Sequence, residues 1–139
     1  YYIDEGAQTG APSTLGSCVQ DLAGEPLANA PEWTFSSFVQ YDRPLGDELA
    51  TLVRLEHNYI DGHFLEEDLD PHLKNDSVNL VNFRIGLHDQ ERTWEATLWG
   101  RNLLDEEYFV YGLDIPTLGG YAGFVAPEAT YGITLRLYR

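Results

Sequence analysis

The feature that most constrains this chain is a strict alternation of long and short connections between segments whose apolar residues recur at every second position. Trp33, Phe35, Val39 and Tyr41 alternate with Thr34, Ser36, Gln40 and Asp42, with Phe38 breaking the pattern. Pro44-Leu45-Gly46-Asp47 is a tight turn. In the next segment Leu49, Thr51, Val53, Leu55 and Tyr59 share one face, and Arg54, Glu56 and Asn58 the other. Val81, Phe83, Ile85 and Leu87 then oppose Asn82, Arg84 and Gly86, and after a short polar turn Trp94, Ala96 and Leu98 oppose Glu95, Thr97 and Arg101. Trp99 falls on the charged side. The last segment sets Tyr131, Ile133, Leu135 and Leu137 against Thr134, Arg136 and Tyr138. A period of two is the mark of a strand with two unlike faces.

The expected fold is therefore all-β. It is an antiparallel up-and-down meander of about five strands at 32–42, 48–60, 78–88, 94–102 and 129–138, each pairing with the next. The tight turns fall at 43–47 and 88–93. The long connections are 1–31, 61–77 and 103–128, with a further strand end at Tyr1–Ile3. Strands of about 9–12 residues are long for a soluble sandwich and close to the length that crosses a bilayer at a tilt. Membrane barrels also put short turns on one side and long loops on the other. Arg54, Arg84, Arg101 and Arg136 all lie on the less apolar face, where a wet lumen accepts charge and lipid does not. The alternative architecture is a secreted β-sandwich binding module, for example for carbohydrate.

Charge and composition exclude several classes. The 139 residues carry 23 acidic and 8 basic side chains, a net charge of −15. Clustered cations are what nucleic acid requires, so no nucleic-acid partner is expected. Cys18 is the single cysteine, which rules out an internal disulfide framework. No run of 18 apolar residues marks a transmembrane helix, and the opening Tyr1-Tyr2-Ile3-Asp4-Glu5 has no signal-peptide character. Tyr, Phe and Trp make up 13% of the chain, a richness shared by membrane-interface belts and by soluble β-proteins.

Asn102-Leu103-Leu104-Asp105-Glu106-Glu107-Tyr108 resembles the Asn-Leu-x-Asp-x-x-Tyr signature near the end of TonB-dependent outer-membrane receptors. Trp94 to Arg101 resembles the strand leading into it, and Tyr131-Gly132-Ile133-Thr134-Leu135-Arg136 the closing strand. Asp21-Leu22-Ala23-Gly24, Leu27 and Asn29-Ala30-Pro31 ahead of Trp33 are similar to the family's return from a long extracellular loop. The resemblance covers about residues 18–138. Glu128-Ala129 after Pro127, and Arg139 after Tyr138, depart from the family pattern. The resemblance implies that residues 1–139 are the C-terminal portion of a barrel of about 22 strands, without its plug domain. It implies bacterial outer-membrane location and energised import of a scarce nutrient of the ferric siderophore, cobalamin or glycan class. The implied partners are the remainder of the same barrel and its plug, the TonB complex through that plug, outer-membrane lipid and the small-molecule nutrient. The long connections would face outward and the tight turns the periplasm.

No catalytic residue, cofactor site or metal site is expected, and the chain is read as no enzyme. Gly-x-Ser-x-Gly, His-Glu-x-x-His and phosphate-loop patterns do not occur. With 23 acids, carboxylate pairs arise by chance and do not make a glycosidase. Asp61, His63, Glu66, Glu67, Asp68, Asp70 and His72 crowd one loop. Their side chains are metal-ligand types, but the spacing fits no EF-hand and no zinc motif and also suits a solvated acidic loop. Tyr121 and Phe124 lie in an aromatic, glycine-rich stretch. The residues expected to touch ligand, if loops do so, are Asp61, His63, Glu66, Glu67, Tyr121 and Phe124. Asn102 and Asp105 are expected to shape the strand end.

Overall fold

The computed structural model describes residues 22–115 and 120–138. Tyr1–Ile3 and Cys18 lie outside the described residues. The described chain is all-β with one short 3₁₀ turn, and its contacts divide it into two units.

The larger unit is an antiparallel five-stranded sheet. Its strands, numbered in chain order with those of the other unit, are β1 (Thr34–Leu45), β2 (Leu49–Ile60), β5 (Val78–Asp89), β6 (Trp94–Arg101) and β9 (Thr130–Leu137). Their order in the sheet is β1-β2-β5-β6-β9, the meander read from the sequence. Register fixes which residues share a face. Tyr41, Val53, Ile85, Leu98 and Ile133 form one cross-strand row, and Gln40, Arg54, Arg84, Trp99 and Gly132 the next, on the opposite face.

Turn chemistry holds the tight end. Gly46 takes φ 76° between β1 and β2, a conformation that suits glycine. Between β5 and β6 the Asp89 carboxylate accepts the Thr93 hydroxyl and the Trp94 N–H (3.1 Å for the latter), and Arg92 adopts φ 55°. The Gln90 N–H donates to the Glu48 carbonyl at 2.9 Å, so the two turns brace each other. Both turns sit at one end of the sheet. The segment entering β1 and both long connections attach at the other, where Thr34 pairs with Ile60, Ile60 with Val78 and Arg101 with Thr130.

Strand limits differ from the sequence reading by one to three residues, and two of the differences have a local cause. β1 runs on through Arg43 and Pro44 to Leu45, and its last residues pair with Ala50 and Leu49 right up to the turn. β6 stops at Arg101, because Asn102 turns left-handed with φ 51°. Asn102 ties two segments of this unit. Its side-chain oxygen accepts the Glu106 N–H (3.0 Å), and its amide donates to the carbonyls of Glu106 (2.9 Å) and Pro127 (3.2 Å). Asp105, at φ 55°, accepts the Ala129 N–H at 2.8 Å. The Asn-Leu-Leu-Asp stretch is thus a backbone clamp that delivers the chain into β9.

The second unit contains the segments 61–77 and 108–126, which the sequence presented as plain loops. They hold two hairpins. One pairs β3 (His63–Phe64) with β4 (Lys74–Asn75) around a 3₁₀ turn at Pro71–Leu73. The other pairs β7 (Phe109–Ile115) with β8 (Gly120–Val125). Leu65, Leu69, Leu73 and Ala126 are buried here. Gly112 lies against Leu65 and Leu73, and Gly123 against the Phe109 ring, each so closely that a Cβ would collide. The pattern therefore breaks exactly where packing demands glycine, which hides β7 and β8 from a periodicity reading.

Candidate functional site

The sheet's two faces differ in kind. On one, Val39, Tyr41, Val53, Leu55, Ile85 and Leu98 are all exposed, and the row continues along β9 with Ile133 at 74%, Leu135 at 75% and Leu137 at 86% exposure. Phe83 on this face lies across Gly100, filling the place of the missing side chain.

The other face is an ordered polar surface. Arg54 pairs with Glu56, donates to Gln40 Oε1 at 2.9 Å and stacks over the Phe38 ring at 4.1 Å. Glu95 accepts from the Thr97 hydroxyl (2.8 Å), Arg136 (3.4 Å) and the Tyr138 hydroxyl (3.4 Å). Trp99, the tryptophan that breaks the apolar pattern, covers Gly132 and donates its indole N–H to Thr134 Oγ1 at 3.1 Å. Its place on the charged side is explained by that glycine and that hydroxyl.

In the second unit one cluster joins two stretches that the sequence had singled out. Asp70 is 3% exposed and caps the 3₁₀ turn, accepting the His72 N–H at 2.8 Å. His72 Nδ1 lies 2.9 Å from the same oxygen. The Tyr121 hydroxyl donates to the other carboxylate oxygen at 2.9 Å, and the Tyr121 and His72 rings stack at 5.1 Å. Burial pushes the Asp70 carboxyl upward, but the hydrogen bonds from His72 and Tyr121, with the His72 charge, outweigh it and hold the pKa below the ordinary Asp value. Glu66 goes the other way: partial burial, then the neighbouring Asp68, Asp114 and Glu67 charges, raise its pKa.

The remaining loop residues are dispersed in role. Asp61 caps the Gly62 N–H at 2.9 Å, and its carbonyl meets His63 Nδ1 at 3.0 Å. Glu67 is exposed, and Phe124 is 70% exposed on β8. Among the described residues no group of three or more His, Cys, Asp or Glu side chains is arranged to hold a metal ion. Of the six ligand-contact candidates only Tyr121 joins the cluster around the buried Asp70. Its partners Asp70 and His72 belonged to the acidic loop but had nothing in their spacing to set them apart.

Asn75 is a buried residue that no sequence signal marked. Its side chain accepts the Phe109 N–H (2.9 Å) and donates to the Phe109 carbonyl (2.8 Å), fastening the start of β7. No protein-family model matches the chain, and neither does any curated protein or solved structure.

Proposed function

We propose that this chain forms part of the wall of a transmembrane β-barrel in the bacterial outer membrane, of the TonB-dependent receptor kind, and serves energised import of a scarce nutrient of the ferric siderophore, cobalamin or glycan class. The observation that carries this reading is the uncovered apolar face opposite an ion-paired one. Burying a Leu, Ile or Val side chain is worth roughly 1.5–3 kcal/mol. Leaving the exposed members of this face in water therefore forfeits on the order of 10 kcal/mol, as much as the net stability of a whole domain. Lipid recovers that energy on one side while a wet lumen accommodates Arg54, Glu56, Glu95 and Arg136 on the other.

The connections support the same reading. Two tight turns at one end and long excursions at the other match periplasmic turns and extracellular loops. The motif resemblance adds the family. In this reading the chain supplies wall and mouth, the rest of the barrel closes its edges, and the plug couples to TonB.

The test is localisation and accessibility in cells producing the full protein that contains this chain. Expected are recovery in the outer-membrane fraction, extraction only with detergent, and external protease cutting within 61–77 while sparing 90–93. A water-soluble monomer would overturn the membrane reading and leave a second sheet as the cover of the apolar face.

A further inference from the structure

Four of the chain's eight Lys and Arg side chains gather on the polar sheet face of a protein whose net charge is −15. Arg54, Arg84, Arg101 and Arg136 line one cavity of about 430 Å³ together with Trp99 and Thr134, and among its described lining residues Glu56 is the single acid. Two of the cations are already engaged, Arg54 by Glu56 and Arg136 by Glu95. Glu95 also feels the field of Arg84. Yet among the described residues the Arg84 side chain makes no hydrogen bond or ion pair, and the partner of the Arg101 side chain is the face of Trp99, 5.3 Å away.

The register sharpens this. Arg54 and Arg84 stand directly opposite each other on neighbouring strands, an arrangement of like charges that weakens a sheet unless something negative lies between or above them. Trp99 is the next residue in that row. Thr134 accepts the Trp99 indole N–H, so its own hydroxyl proton remains to be donated. The volume lies within the range of small-molecule pockets.

We propose that this basin is a binding subsite for a small polyanion bearing carboxylate or phosphate groups. Arg84 and Arg101 supply charge-assisted hydrogen bonds, Trp99 a flat wall and Thr134 a neutral donor. The inference deepens the transport reading by naming a substrate class, and rests on it for the anion's role as cargo. The binding itself requires only that the polar face be wet.

The test is calorimetric titration of the purified full protein with citrate, with its uncharged triethyl ester as the control. Citrate is expected to bind and the ester not. Arg84→Gln should weaken citrate binding about tenfold or more, Arg84→Lys should restore most of it, and Lys74→Gln, in the other unit, should leave it unchanged. No citrate binding by the parent protein, equal affinity for the ester, an Arg84→Gln variant that binds like the parent, or an equal loss in Lys74→Gln each overturns the subsite. Membrane fractionation of the same parent protein separates the two readings. Citrate binding by a soluble protein keeps the subsite and removes transport, while an outer-membrane protein blind to citrate does the reverse.

Discussion

The two units handle apolar surface in opposite ways. In the smaller one Leu65, Leu69, Leu73 and Ala126 are buried among hairpins that carry their own core. In the sheet, strands up to 12 residues long turn Ile85, Leu98, Ile133 and Leu135 outward with no covering layer among the described residues. A core inside a unit makes its stability its own. A face without cover makes stability a property of the surroundings, whether lipid or another layer.

The largest expected effect comes from charging that face. Under the membrane reading proposed above, Ile133→Arg, in the cross-strand row of Tyr41, Val53, Ile85 and Leu98, should cost about 2–4 kcal/mol. Thr134→Arg, one residue away on the polar face, should cost about 1 kcal/mol through loss of the Trp99 hydrogen bond. Yield of assembled protein in the outer membrane measures the difference, and equal tolerance of the two changes would break the comparison. Next in size, Leu73→Ala should destabilise the smaller unit by about 2–3 kcal/mol, toward the low end for core truncations because so small a core can partly collapse. Hydrogen exchange should show the loss in 61–77 and 108–126, with sheet amides unchanged. Loss spread evenly over both would mean that the units do not unfold separately.

Asn102→Ala removes three side-chain hydrogen bonds and a left-handed residue that alanine tolerates poorly, at an expected cost of about 2 kcal/mol. Asn102→Gly should recover only the backbone part, and denaturant midpoints of the two variants decide how the cost divides. The smallest effects concern the two shifted acids. Asp70 has a lowered pKa, so its contribution is fully present above the ordinary Asp range and is lost as pH falls through its depressed value. Glu66 has a raised pKa, so its ionised form opposes folding and that penalty is relieved as pH falls through the raised value. Asp70→Asn should therefore lower, and Glu66→Gln slightly raise, the neutral-pH stability of the smaller unit, read from exchange of its amides. The same sign for both would contradict the assigned environments.

The contrast between units also marks what the sequence could disclose. The sheet was legible because strand period, turn residues and face polarity are local. Val81 to Leu87 and Tyr131 to Leu137 announce their faces without any partner, and the five-strand order followed from connection lengths. The smaller unit was not, because its signals are nonlocal. Gly112 and Gly123 look like loop punctuation until Leu65, Leu73 and Phe109 are seen against them. Asp70 looks like one more solvated acid until Tyr121, 51 residues on, closes over it. The ladder of polar contacts from Trp99 to Thr134 was hidden for the same reason, although the odd placement of a tryptophan on the charged side was the visible clue.

The outer rims of β1 and β9 also have a kinetic side. Among the described residues no strand pairs with either rim, and they are unequal: twelve residues in β1, eight in β9. An incoming strand that docks on β1 can zip through half as many positions again as one that docks on β9, so it is held longer after each chance encounter. Each position zipped also enforces the alternation of side-chain faces, so a slipped register on the long rim misplaces more residues and dissociates sooner. Growth of the sheet should accordingly be both faster and more error-correcting from the β1 rim, with β9 serving as the slower seam.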